Sequence, residues 1–69
     1  SIGMEKAIKF IRMASRLKDS ITSAQRPTHD ASQAPDEIPG EIRDFLSAAT
    51  DMPLDFVDGC WKAFANLIW

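Results

Sequence analysis

All four prolines of this 69-residue chain lie beyond residue 26, at positions 27, 35, 39 and 53. Proline lacks a backbone donor and its ring clashes with the turn before it, so a helix can begin at one but cannot run through one. The chain is thereby cut into a long first segment, a broken middle and two shorter segments that each open near a proline. Residues 4–25 contain neither Pro nor Gly.

The first segment has one dominant period. Ala7, Phe10, Ala14, Leu17, Ile21 and Ala24 alternate spacings of three and four, the mark of a heptad seam. Met4, Ile8 and Ile11 widen the seam on one flank, and Glu5, Lys9, Arg12 and Arg16 fall opposite. This spacing predicts a helix over residues 2–25, ending where Pro27 pushes Arg26 out of the helical region. Residues 26–37 hold two prolines and no large apolar side chain, which predicts a mobile loop.

A second helix is expected over residues 38–50, with Pro39 in its first turn and Asp36, Glu37 and Glu41 at the positive end of its dipole. Ile42, Phe45, Leu46 and Ala49 form its apolar face, and Ile38 serves as a staple at its entry. A third helix is expected over residues 52–69, capped by Thr50 or Asp51. Leu54, Trp61 and Ile68 recur every seven residues there. Val57, Cys60, Phe64 and Leu67 make a second line, and Phe56, Ala63, Ala65 and Trp69 add to it. Only Asp55, Asp58, Lys62 and Asn66 remain for water. Gly59 weakens a helix interior, and close approach of another backbone would compensate.

The fold class this implies is all-α: a single domain over residues 1–69, built as a three-helix bundle-like module and completed by dimerisation or by a partner. Ser1 is not an initiator, so residues 1–3 are either additions before Met4 or part of a longer chain. A core in a chain below roughly 70–80 residues rarely supplies more than ~3–5 kcal/mol, and small domains usually need a staple. A disulfide within one chain is excluded, because Cys60 is the only cysteine. One Cys and one His (His29) also fall short of the usual zinc patterns. Association is the remaining source of stability. A helix apolar nearly all the way round needs cover on more than one side, more than a three-helix chain supplies.

Charge is divided along the same lines. Residues 1–26 carry six Lys/Arg against two acids, and residues 27–69 carry two against eight, for a net charge of −2. The basic face of the first helix is read as solvated and attractive to the acidic helices. Nucleic acid is disfavoured by the acidic pI near 5.1. Peripheral membrane contact is the second use of the same face, with Lys/Arg near headgroups and Phe10, Ile8 and Ile11 in the lipid boundary. The window of about 18 consecutive apolar residues that a membrane span requires is absent.

Catalysis finds no footing. His29 and Cys60 are the one nucleophile-and-base combination, but a thiol inside an apolar helix face behaves as a small hydrophobe. Asp51, Asp55 and Asp58 share a helical face and read as solvated carboxylates rather than a metal site. The expectation is therefore a protein that is not an enzyme, with no cofactor and no metal. It reads as a docking, dimerisation or partner-binding terminal domain of a larger multidomain protein. The alternative is a membrane-active amphipathic protein, viral or secreted. A lone thiol fits a cytoplasmic, reducing compartment. The partner is another protein or, by preference, a second copy in a homodimer. Trp61, Phe64, Ile68 and Trp69 are the expected apolar anchors, and Lys9, Arg12 and Arg16 the steering charges.

Overall fold

The computed structural model describes residues 2–69, so the question raised by Ser1 lies outside the described residues. Four helices follow one another: α1 (Ile2–Arg16), α2 (Lys18–Ser23), α3 (Gly40–Thr50) and α4 (Leu54–Ile68). The chain is all-helical, with no strand among the described residues.

The single first helix expected over residues 2–25 is interrupted at Leu17. The Leu17 N–H is shared between the carbonyls of Met13 (3.2 Å) and Ala14 (3.1 Å), a local tightening of the helical ladder. The ladder resumes when the Ile21 N–H reaches the Leu17 carbonyl at 2.9 Å. The seam survives the interruption. Phe10, Ala14 and Ile21 are fully buried, whereas Leu17 is half-buried and Ala24 exposed. α2 stops before residue 25: the Gln25 N–H turns to the Thr22 carbonyl (3.1 Å), and its side-chain amide donates to the Ile21 carbonyl (3.1 Å), satisfying a carbonyl near the end of the helix.

The loop expected over residues 26–37 is built as a series of turns with its own hydrogen bonds. The His29 N–H meets the Arg26 carbonyl at 2.9 Å, and the Gln33 N–H meets the Asp30 carbonyl at 3.0 Å. One Asp30 carboxylate oxygen accepts from both the backbone N–H (2.9 Å) and the hydroxyl (2.8 Å) of Ser32. These bonds hold the Asp30 carboxyl below its ordinary pKa. A depressed carboxylate supports the folded turn above its unfolded pKa and loses that support as pH falls through the folded one. In an NMR pH titration, the Ser32 amide should move with a midpoint below 3.8, the usual Asp value. A midpoint at or above that value would show the turn to be unformed.

The two later helices start later than the sequence suggests. Pro39 is the N-cap of α3 rather than a residue of its first turn, and the Arg43 N–H closes on the Pro39 carbonyl at 2.9 Å. Ile38 is buried at the entry. Neither Thr50 nor Asp51 caps α4. Thr50 is the last residue of α3, and its hydroxyl donates to the Leu46 carbonyl. Asp51 ends α3 in the left-handed conformation (φ 55°, ψ 42°), which Asp tolerates better than most residues. Pro53 then caps α4.

Two contacts fix the direction of packing. The Lys6 ammonium donates to the Asp51 carbonyl (2.9 Å), and the Lys18 ammonium lies 5.2 Å from the centre of the Trp69 ring. α1 and α2 therefore run alongside α4 in the same direction, and α3 returns antiparallel. α1, α3 and α4 all touch one another. Their shared core is Phe10, Ala14, Ile21, Ile38, Leu46, Met52, Val57, Trp61 and Ala65.

Candidate interaction surface

The buried line of α4 is Val57–Trp61–Ala65, at a spacing of four. Trp61 is only 2% exposed. Its indole N–H donates to the Pro35 carbonyl at 2.8 Å, so the connection between α2 and α3 covers it. The expectation that Trp61 anchors a partner is corrected here: the ring is spent inside its own chain. Phe64 and Ile68 are half-buried against the core, and Trp69 is half-buried. The Trp69 ring stands at 80° to Trp61, centroids 5.6 Å apart, the edge-to-face arrangement that aromatic pairs favour. Lys9, Arg12 and Arg16 are exposed.

With α4 turned this way, other residues face water. Phe56 is 62% exposed and Leu67 74%. Between them Gly59 and Ala63 are also exposed, so one side of α4 is apolar and open over three turns. Sequence reasoning grouped Phe56 and Leu67 with the apolar lines of this helix without singling them out. No period singles them out; once Val57, Trp61 and Ala65 face inward, Phe56, Ala63 and Leu67 lie well away from that line on a helix of 3.6 residues per turn.

This side is left bare by the rest of the fold. Arg43 of α3 pairs with Asp58 (Nη1 to Oδ2, 3.7 Å), which puts α3 on the Asp58 flank of α4. Cys60 and Phe64 lie on the other flank. There a groove of about 480 Å³ separates α4 from the first turns of α1, with Gly3 and Lys6 on one bank and Phe56, Gly59, Cys60, Ala63 and Phe64 on the other. Asp55 stands on the α4 bank as well. Partial burial pushes the Cys60 thiol above its ordinary pKa.

Among the described residues nothing occupies the space over Gly59: no atom outside its own helix lies within 4 Å of where a Cβ would sit. The close backbone approach anticipated from the sequence is not supplied by those residues. Gly59→Ala should therefore gain helix propensity without a clash and stabilise the fold by up to about 1 kcal/mol. Thermal unfolding of a dilute sample checks this; a lower midpoint would mean that the site is already filled.

The groups weighed for catalysis are not assembled. His29 lines a polar hollow beneath the α2–α3 connection, bonded through Nε2 to the Gln33 carbonyl at 2.9 Å, whereas Cys60 lines the groove. Asp58 is paired with Arg43, and the Asp51 carboxylate lies 4.0 Å from Lys6. No cluster of three metal-ligating side chains exists among the described residues. No helix among them is long and apolar enough to cross a membrane. No protein-family model matches the chain, and no curated protein or solved structure matches it either.

Proposed function

We propose that this chain is a non-enzymatic protein-association module that works through the bare side of α4 and the groove beside α1. One observation carries the reading: Phe56 and Leu67 are held in water on the flank that no other element covers. Fully burying a side chain of that size stabilises by ~1.5–3 kcal/mol, a gain left for a partner to collect. Met4, Ile8, Phe45 and Leu54 are exposed as well; what sets Phe56 and Leu67 apart is that Gly59 and Ala63 join them into one open stripe, and contiguous apolar patches are a usual sign of an interaction site. The expected anchors move accordingly from Trp61 to Phe56 and Leu67, with Phe64 at the bottom of the groove. Lys9, Arg12 and Arg16 remain the steering charges, and a docking or dimerisation domain of a larger protein remains the biological setting.

A photo-cross-linking residue in place of Ala63 tests this inside the source cell. The expected result is one discrete protein adduct that disappears when Phe56→Asp is added. Adducts to lipid alone, or none, would defeat the association reading.

A further inference from the structure

We infer that the occupant of the α1–α4 groove is an acidic amphipathic helix of another protein, which lies along the groove as an added helix of the bundle. This rests on the association reading above and gives the partner its chemistry. Shape is the first argument. The parallel pair α1 and α4 has a groove on each side. α3 fills one of them: its Arg43 pairs with Asp58 of α4, and the carbonyl of its C-cap, Asp51, accepts from the Lys6 ammonium of α1. The other groove is open, and Lys6, Met52 and Pro53 stand at the end where α1 and α4 begin.

By helical register the α1 bank along the open groove is the flank away from α3, with Ala7 and Ile11 half-buried and Ile8 exposed beyond them. The α4 bank has Cys60 and Phe64 half-buried, and Phe56 and Leu67 exposed beyond them. The apolar side chains therefore line both slopes of a trough. A flat lipid surface would rest on its rims and miss its floor. A helix seated about 8–10 Å from each neighbour fills such a trough, as α3 fills the one opposite. From Phe56 to Leu67 the open stripe runs roughly 16 Å, enough for three turns of a partner helix.

Charge is the second argument. Arg12 and Arg16 follow Ile8 at intervals of four, which sets them on the outer rim of α1, and Lys9 lies beside them. Lys62 stands beyond the stripe on α4, and all four side chains are exposed. Residues 9–16 and 59–68 contain no carboxylate to offset them. The acids of this face, Glu5 and Asp55, are confined to the end where both helices begin. Over the rest of its length the groove has an apolar floor between basic rims. That is the complement of a helix with an apolar stripe and Asp or Glu on its flanks. A second copy would bring the same basic rims and be repelled.

Titration of the isotope-labelled chain with two synthetic helices of about five turns tests the inference. The two share one leucine stripe and differ only in carrying Glu or Lys on its flanks. The Glu helix should bind about tenfold more tightly than the Lys helix at low salt, and added salt should shrink the margin. Amide shifts should centre on Ile8, Cys60, Ala63 and Leu67, and alkylation of Cys60 should slow. Leu67→Asp should weaken binding about thirtyfold, the loss typical of a hot-spot residue, with unchanged helix content by circular dichroism. Arg12→Glu together with Arg16→Glu should abolish the preference for the Glu helix.

Equal affinity for the two helices, no binding of the Glu helix, or shifts centred elsewhere overturns the inference. So does tighter binding to vesicles of anionic phospholipid than to the Glu helix, or self-association that protects Cys60 with no peptide present. If position 63 then still gives a discrete protein adduct in the cell, the acidic-helix inference falls while the association reading stands. A chain that gives no protein adduct there removes both.

Discussion

Trp61→Ala should unfold the chain or leave it barely folded at room temperature. Removing a large aromatic side chain from a packed core costs about 3–5 kcal/mol. Trp61 is among the largest fully enclosed side chains, and it also holds the edge-to-face contact with Trp69. A core in a chain of this length is worth about as much as that single loss. Circular dichroism during heating should show no cooperative transition, or one shifted far down. Trp61→Phe separates packing from hydrogen bonding. It keeps most of the apolar volume but deprives the Pro35 carbonyl of its indole donor. The expected cost of the lost bond is about 1 kcal/mol, with faster amide exchange concentrated in the α2–α3 connection. If Trp61→Ala melts like the wild type, the ring is not where the structure puts it.

The second large effect is a contrast. Phe10→Ala should cost about 3–5 kcal/mol, because Phe10 is fully buried between α1 and its neighbours and the cavity left behind cannot collapse completely. Leu67→Ala, in an apolar side chain left largely in water, should change monomer stability by no more than about 0.5 kcal/mol. Urea denaturation of both variants, at a concentration low enough to prevent association, measures the difference. Comparable losses for the two would mean that α4 is rotated from the orientation described.

That rotation marks the boundary of what the residues could reveal unaided. In the first helix the apolar positions form one stripe, so the period alone names the inward side, and Phe10, Ala14 and Ile21 are indeed enclosed. In α4 the apolar residues nearly encircle the helix, and a period with few gaps cannot say which side is inward. The choice is made by tertiary contacts. Arg43 draws the Asp58 flank toward α3, and Pro35, distant in sequence, closes over Trp61. Neither contact has a local signature. Tryptophan therefore looked like a surface anchor, although the fold itself needed it. The interruption at Leu17 has only a faint signal: no Pro or Gly marks it, but Ser15, Asp19, Ser20 and Thr22 around it are weak helix formers, and the Ser15 hydroxyl donates back to the Ile11 carbonyl at 2.7 Å. Pro39 and Pro53 did mark the starts of α3 and α4, one residue inside the expected turns, because proline fixes its own φ as well at a cap as in a first turn.

The bond from Lys6 to the Asp51 carbonyl spans 45 positions, and that separation orders the costs of folding. α3 and α4 adjoin through three residues and can zip together with little loss of chain entropy, whereas α1 has to wait for them. Until that docking takes place, the Phe10 edge of α1 lacks the Leu46, Val57 and Trp61 side chains with which it shares the core.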